Sequence, residues 1–187
     1  MSLTDPSTAV FSSVKQIRFC KRFLTVTAFS LGVLLSFNVW ALQMCNNAIR
    51  ASTPNDRFQI NEDGTVTDVR TNLVWKRCLE GQTGANCETG NASRFTWQQA
   101  LQYAKQVGEG WRLPNIKELA SIVELKCDDP AINLSAFPNT RSSGVWSSSP
   151  VASGTYNAWD VNFGNGGANY YNRYYDNNHV RLVRGGQ

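Results

Sequence analysis

The chain has 187 residues and a formal net charge of +4. Four basic side chains and one acidic side chain lie within residues 1–41, so without this segment the charge falls from +4 to about +1. That balance does not imply a strongly electrostatic partner such as nucleic acid, which needs clustered lysine and arginine on one face, so we predict no nucleic-acid partner. The roughly 146 residues that remain suffice for one domain with its own core.

Residues 1–41 have the layout of a secretory signal peptide, with a basic flank, an apolar run over residues 23–40 and a small residue after it. An uncleaved membrane anchor is the main alternative because the run is long enough for a thin span. Lipidation at Cys45 and a twin-arginine signal are weaker alternatives. We therefore predict a protein that is secreted or displayed at the cell surface, in the periplasm or outside the outer membrane, and that touches a membrane only through this segment. Residues 42–56 are predicted as a linker or N-terminal arm, and residues 57–187 as the folded domain.

Four cysteines follow the predicted signal, and this even number favours two disulfides in an oxidising compartment. Three pairings are open. We favour Cys78 with Cys87, which closes a short glycine-rich loop, and Cys45 with Cys127. A zinc site is disfavoured because the chain has no C-x-x-C motif and its one histidine, His179, is remote in sequence. We predict no metal and no other cofactor.

The first predicted strands form a meander. Residues 57–60 and 65–68 flank a polar turn in which Gly64 supplies a positive φ angle. Residues 73–75 provide a third strand after another short turn. Together they predict the start of a sheet.

A first helix is predicted over residues 97–107. Thr96 and Gln99 form a capping box at its start, and Gly108 follows its last apolar residue. The apolar residues recur at helical spacing, which places Trp97 in the core.

A second helix is predicted to begin at Asn115, with Glu118 three residues later, and to end at Pro130. Arg112, just before it, is expected to tie loops together rather than to act in catalysis. The buried stripe of this helix is predicted to contain Ile116, Leu119, Ala120 and Val123.

Three short strands are predicted in the last third of the chain, over residues 145–146, 159–163 and 180–184. Residues 164–178 lie between the last two strands and contain no aliphatic side chain larger than alanine. Such a segment cannot build a core, so we predict an exposed loop.

Tyrosine and asparagine dominate this loop and the strand before it. Tyrosine offers a rigid, amphipathic contact face, and asparagine and glycine supply adaptable hydrogen bonding, which is the mixture found in binding loops. No nucleophile elbow or phosphate-binding loop is present, so we expect a protein that is not an enzyme, with no catalytic residues. The predicted ligand-binding residues are Tyr156, Asn157, Asp160, Asn162, Asn165, Asn169, Tyr170, Tyr171, Asn172, Arg173, Tyr174, Tyr175, Asp176, Asn177 and Asn178.

Several ordered motifs resemble the C-terminal domain family of the Legionella collagen-like adhesin. The resemblance covers roughly residues 57–186 and implies an exported domain with adhesion as its precedent. The motifs are the Asp-Gly-Thr-Val-x-Asp hairpin at 63–68, Thr-x-Leu-x-Trp at 71–75, Trp-Arg-Leu-Pro-Asn at 111–115, Val-Trp-Ser-Ser-Ser at 145–149, Ala-Trp-Asp-Val-Asn-Phe at 158–163 and Val-Arg-Leu-Val-Arg-Gly-Gly at 180–186.

The helix pair and the closing strands also look like the C-type-lectin-like fold. This resemblance implies an α+β domain with a small, twisted, mostly antiparallel sheet, two helices and long loops. It does not carry over calcium-dependent sugar binding, because the Glu-Pro-Asn or Gln-Pro-Asp triplet is absent. The related formylglycine-generating enzymes use a reactive cysteine pair in their C-terminal part, and no cysteine follows Cys127 here.

Target proteins of diversity-generating retroelements often carry this fold, with asparagine codons that are mutated at adenines. Every residue of 165–178 belongs to the set that such codons yield, whereas Trp159 and Phe163 would be scaffold. We therefore expect non-catalytic recognition of a protein or glycan on another cell or surface, with a diversified loop as a hypothesis. The alternative is a homo-oligomeric adhesin domain that binds sulfated glycans through arginine and lysine.

Overall fold

The computed structural model describes residues 42–185 and is a small α+β domain, as predicted. The predicted signal over residues 1–41 lies outside the described residues. Within residues 42–185, no helix is long and apolar enough to cross a membrane. The elements in chain order are β1 (Met44–Cys45), β2 (Phe58–Ile60), β3 (Thr65–Asp68), β4 (Leu73–Lys76), β5 (Gln82–Thr83), β6 (Thr89–Gly90), α1 (Trp97–Val107), α2 (Ile116–Ser121), β7 (Cys127–Asp128), β8 (Gly144–Val151), β9 (Gly154–Asn162), β10 (Gly167–Asn172) and β11 (Val183–Arg184).

The predicted meander forms most of a four-stranded antiparallel sheet with the order β11-β4-β3-β2. Gly64 takes a φ of 77° in the β2–β3 turn, which is the positive angle that the sequence predicted there. Trp75 on β4 lies between Val66 and Val183 on the neighbouring strands, and all three side chains are buried. This sheet therefore forms one wall of the core.

The last strand is shorter than predicted. Residues 180–182 run beside the chain after β4, but only isolated bonds join them, from Lys76 N–H to the Leu182 carbonyl and from Glu80 N–H to the Val180 carbonyl. A ladder needs regular pairing, so the strand is restricted to Val183–Arg184.

A second antiparallel sheet has the order β10-β9-β8. Alternate residues of its strands point to opposite faces, and each face is covered by a different part of the core. Trp146 and Ala158 pack in the cluster that includes α1 residues, whereas Val145 and Val161 pack with the four-stranded sheet. Strands β8 and β9 therefore have buried residues on both faces.

Helix α1 has the predicted bounds. The Thr96 hydroxyl accepts the Gln99 N–H, the Gln99 side chain accepts the Thr96 N–H, and Gly108 ends the helix with a φ of 67°. Trp97 packs against the core as predicted, but its ring is only partly buried.

Helix α2 begins after Asn115 as predicted but ends at Ser121, so the prediction that it continues to Pro130 is wrong. The Glu124 carboxylate, buried against the N-terminal arm, accepts N–H groups from Ser52, Thr53 and Lys126. These bonds hold residues 122–126 in an irregular conformation. Ala120, predicted as buried, is exposed.

The N-terminal arm is tied to the domain rather than free. Strand β1 pairs with β7, and the Gln43 side chain donates to the carbonyls of Pro130 and Ile132. The Cys45–Cys127 disulfide closes this contact across 82 residues, and Cys78–Cys87 closes a separation of 9 residues. Both predicted pairings are confirmed.

Three arginine side chains bind separate segments of the chain to one another, and we call this set of contacts the frame. Arg57 forms a buried ion pair with Asp68, its Nε lying 2.9 Å from Oδ1. Arg112 binds Glu118 through two 2.8 Å contacts and also donates to the Gly185 carbonyl, which confirms its predicted structural role. Arg181, fully buried, donates to the carbonyls of Lys76 and Arg77 and to the Thr140 hydroxyl. These groups hold the segments on which the candidate site rests.

Candidate functional site

The predicted loop at 164–178 contains an unpredicted strand. Residues Gly167–Asn172 form β10, which pairs along its whole length with β9 from Asn162 back to Asn157. A four-residue turn connects the strands, with Gly166 at a φ of 75° and its N–H bound to the Asn162 carbonyl. The segment lacks core residues, as the sequence indicated, and its order comes from pairing with a buried neighbour.

The surface itself is exposed as predicted. Five of the six tyrosines of the chain lie on β9, on β10 or in the turn after β10. Their relative exposures are 82% for Tyr175, 66% for Tyr156, 56% for Tyr170, 45% for Tyr174 and 42% for Tyr171. Tyr170 and Tyr171 are consecutive on β10 and therefore point to opposite sides of the sheet. We call the five side chains together the tyrosine face.

Ring contacts stiffen three members of the tyrosine face, namely Tyr156, Tyr170 and Tyr174. Tyr170 meets Trp159 of β9 edge-on, with ring centroids 5.6 Å apart. Tyr174 lies 6.3 Å from Tyr156, and the Arg173 guanidinium carbon is 4.9 Å from the Tyr174 centroid. Such contacts restrict the rotamers of exposed rings, so less entropy is lost on binding.

Several predicted contact residues instead build turns. The Asn172 N–H donates to the Asp176 carboxylate at 2.8 Å, and the Asp176 N–H donates back to the Asn172 carbonyl at 3.0 Å. The Asn162 and Asn165 side chains accept N–H groups two residues ahead of them, which is the usual work of asparagine in turns. Asn169 donates to a carbonyl two residues behind it, and Asn177 does the same. Asn157 is partly buried on β9.

Asp160 and Asn178 do not belong to the exposed surface. Both are buried, and Asn178 Nδ2 donates to Asp160 Oδ2 at 3.1 Å. Burial raises the pKa of Asp160 to about 7, against the opposing effects of the Asn169 backbone and the Asn178 side chain. Its Oδ1 is buried without a partner. Sequence reasoning grouped Asp160 with the exposed polar positions, and its burial beside Asn178 is a contact across 18 residues that has no local signal.

A groove that the sequence analysis missed lies beside the tyrosine face. It has a volume of about 340 Å³ and is lined by Trp97, Gln98, Leu101, Gln102, Arg173 and Tyr174. We call it the α1 groove. Its α1 wall consists of residues one turn apart on one side of the helix, a spacing that was visible in the sequence but was attributed to the core alone.

A second concave region is basic. Its volume is about 430 Å³, and Arg94, Arg141, Ser142, Ser143 and His179 are among its lining residues. The His179 ring is buried with Nδ1 2.9 Å from the Ser93 carbonyl; burial, and then Arg94 and Arg141, lower its pKa. This region suits an anion more than a cation.

The structure bears on metal binding and on thiol chemistry, the two alternatives raised by the cysteines and the histidine. Within residues 42–185, no group of three or more histidine, cysteine, aspartate or glutamate side chains is placed to hold a metal ion. Each of the four cysteines in that range is in a disulfide, so none is a free thiol. Disulfides of this kind are typical of proteins outside the cytosol.

Fold and site together define a disulfide-bonded α+β domain that presents an exposed tyrosine-rich face. The chain belongs to the Lcl C-terminal domain family, whose model matches residues 64–184. No curated protein and no solved structure matches it. The family is in keeping with an adhesin-like, extracellular role, and the C-type-lectin-like assignment stays a prediction.

Proposed function

We propose that this domain is a non-catalytic recognition module, exported from the cell, that binds a protein or glycan through the tyrosine face. The observation that carries the proposal is the exposure of five tyrosines on one two-stranded ribbon and its turn. Exposed aromatic side chains concentrated in one short stretch often mark an interaction site. Tyrosine is also enriched among the residues that dominate binding energy.

The proposal is supported by the separation between this face and the core. None of the five tyrosines belongs to either buried core cluster, whereas strand β9 contributes Ala158 and Val161 to those clusters. The turn after β10 carries its own hydrogen bonds, which fix the backbone that presents Tyr174 and Tyr175. A preorganised face of this kind loses little entropy on association.

The test is a binding screen with matched variants. Purified wild-type protein is applied to a glycan array and to intact cells, and the strongest signal is measured again with Tyr170→Ala, Tyr175→Ala and the double variant. The control is Leu125→Ala, because Leu125 is 72% exposed and is absent from the tyrosine face. We expect a loss of roughly tenfold or more for the tyrosine variants, little change for the control, and nearly unchanged melting temperatures.

Equal losses in the control and the tyrosine variants would refute the proposed face. A large drop in melting temperature for Tyr175→Ala would show that the ring is structural.

A second candidate function is adhesion to sulfated glycans, and the basic region favours it. Arg94 and Arg141 lie beside two serine hydroxyls, and Arg94 makes only 3.4 Å contacts to Asn177 and Ser143. Binding to sulfate through these arginines would weaken steeply as salt rises, whereas binding through the tyrosine face would not. Heparin-column elution of Arg94→Gln and Arg141→Gln against wild type distinguishes the two.

We also propose that the exposed positions of residues 156–177 are diversified by a retroelement. This is supported by their exposure and by their absence from the core clusters, since surface substitutions usually change stability little. Deep sequencing of the gene across a grown population tests it. Adenine-templated changes should fall on the tyrosine face and spare Asp160 and Asn178, whose contact is buried; an invariant region without a template copy in the flanking DNA would end this proposal.

A further inference from the structure

The α1 groove has one cationic wall and no acidic one. Arg173 is the only charged residue among its six lining residues. The ion pairs found in residues 42–185 use Arg57, Arg112 and Arg184, so Arg173 has no carboxylate within ion-pair distance there. The guanidinium donates to the Tyr174 hydroxyl at 2.8 Å, which is a neutral partner.

The sequence around α1 extends this positive character. No aspartate or glutamate occurs between Glu88 and Glu109, and Arg94 and Lys105 lie in that interval. An approaching carboxylate therefore meets Arg173 with no acidic side chain from this helix to repel it, and a charge-assisted bond to arginine is among the stronger polar contacts.

The aromatic rings of the groove are not free to stack on a sugar. Arg173 covers Trp97, its guanidinium carbon 5.5 Å from the ring centroid, and the indole Nε1 is bound to the Ser147 carbonyl at 2.7 Å. Tyr174 has Arg173 near one face and Tyr156 as a second ring neighbour. Ring edges and the Leu101 side chain remain, and these suit an apolar amino-acid side chain.

Two exposed glutamines complete the groove. Gln98 and Gln102 are one helical turn apart, so their amide groups lie on the same side of α1. Each amide offers a donor and an acceptor, which matches the N–H and C=O of a peptide group. The combination of a cation, an apolar wall and paired amides fits a peptide better than a carbohydrate.

We propose that the α1 groove binds a peptide segment of a protein ligand in which a carboxylate lies beside an apolar side chain. The carboxylate pairs with Arg173, the apolar side chain packs on Leu101 and the Trp97 edge, and the glutamines bind the peptide backbone. The inference rests on the proposed recognition function and selects its protein form. It adds α1 as a second wall of the site.

The experiment is a titration of ¹⁵N-labelled protein followed by NMR. The probes are N-acetyl-phenylalanine, with a terminal carboxylate, N-acetyl-phenylalanyl-glutamate amide, with a side-chain carboxylate, and N-acetyl-phenylalanine amide, with neither. We expect the carboxylate probes to shift the Trp97 indole and Gln98 and Gln102 amide signals, and the neutral probe to bind roughly tenfold or more weakly. The stronger of the first two probes identifies the carboxylate source.

Variants on α1 test the helix wall separately from Arg173, which lies in the turn after β10. Gln98→Ala with Gln102→Ala and, separately, Arg173→Gln should weaken the carboxylate probes several-fold or more, whereas Gln106→Ala should not, because Gln106 lines a neighbouring concavity instead. Equal binding of the neutral probe, no shift of the α1 signals, or equal binding of methyl glucuronide would overturn the proposal.

Failure here is distinguishable from failure of the proposed function. Tyr170→Ala and Tyr175→Ala alter side chains that do not line the α1 groove, so the probes should bind these variants as they bind wild type. Loss of macromolecular binding in those variants with no probe binding anywhere would leave the tyrosine face supported and the peptide groove refuted.

Discussion

The buried carboxyl of Asp160 should make the protein less stable as pH rises. Burial raises its pKa from 3.8 to about 7. Because the folded-state pKa lies above the unfolded-state value, the folded protein holds the proton more tightly, and stability falls as pH rises from about 4 to about 7. Replacing Asp160 by Asn removes this ionisation, keeps the side-chain shape and retains an acceptor for Asn178.

The magnitude follows from the size of the shift. Each pKa unit corresponds to about 1.4 kcal/mol, so between about pH 5 and pH 8 the wild type should lose about 2–3 kcal/mol of unfolding free energy relative to Asp160→Asn. His179, whose pKa is lowered, works in the opposite direction below its usual range, but it is present in both proteins and cancels in the difference.

The assay is urea unfolding of both proteins at several pH values, with tryptophan fluorescence as the signal. The difference in unfolding free energy should grow steadily with pH and level off above neutrality. A difference that is constant across this range would refute the reasoning, because it would mean that Asp160 is ionised throughout or that solvent reaches its free oxygen.

Two further comparisons, each between two variants, test the frame. Arg57→Ala should cost about 3–5 kcal/mol because it leaves Asp68 buried without its partner, whereas Arg184→Ala, which removes a 3.7 Å contact to Asp63 and a contact with the Trp111 ring, should cost only about 1 kcal/mol. Replacing Cys45 and Cys127 by serine should destabilise by about 4–5 kcal/mol and replacing Cys78 and Cys87 by about 3 kcal/mol, since the first disulfide closes the longer loop; equal losses in thermal unfolding would contradict this ranking.

Local signals in the sequence predicted local structure well. The capping box at Thr96 and the glycine at 108 gave the bounds of α1 because both act within one helical turn. Gly64 gave the first hairpin for the same reason. The cysteine pairing also followed from a local argument, since the short Cys78–Cys87 loop left the other two cysteines as partners.

The predictions that failed depend on partners far away in sequence. Helix α2 ends early because Glu124 binds the arm at Ser52 and Thr53. Strand β10 forms because β9, which pairs with β8 on its other side, offers backbone hydrogen-bonding groups along its second edge. Residues 167–172 have no apolar pattern of their own. Burial of Asp160 depends on the approach of Asn178 to Gly144, where an added Cβ would lie 2.3 Å from the Asp160 carboxylate. None of these three contacts has a local signature in the sequence.

The candidate surface could be predicted only in part, because its composition is a local property whereas its contacts depend on residues far away in sequence. Composition marked residues 156–178 as exposed and adaptable, and the tyrosines are indeed exposed. Composition could not separate rings that face solvent from asparagines that close turns, nor could it place α1 beside Arg173. That assignment required the register of β10 and the position of the helix.

The exposed side chains of β10 can change because backbone pairing, and not side-chain packing, orders this strand. The strand draws its backbone bonds from β9, and β9 is held by core residues on both faces. The side chains of Tyr171 and Tyr175 add exposed area without entering either core cluster. Substitutions at these positions therefore alter the chemistry of the surface while the ladder and the core remain. Asp160 differs, because a larger or unpaired group there would have to be accommodated against Asn178 in the interior.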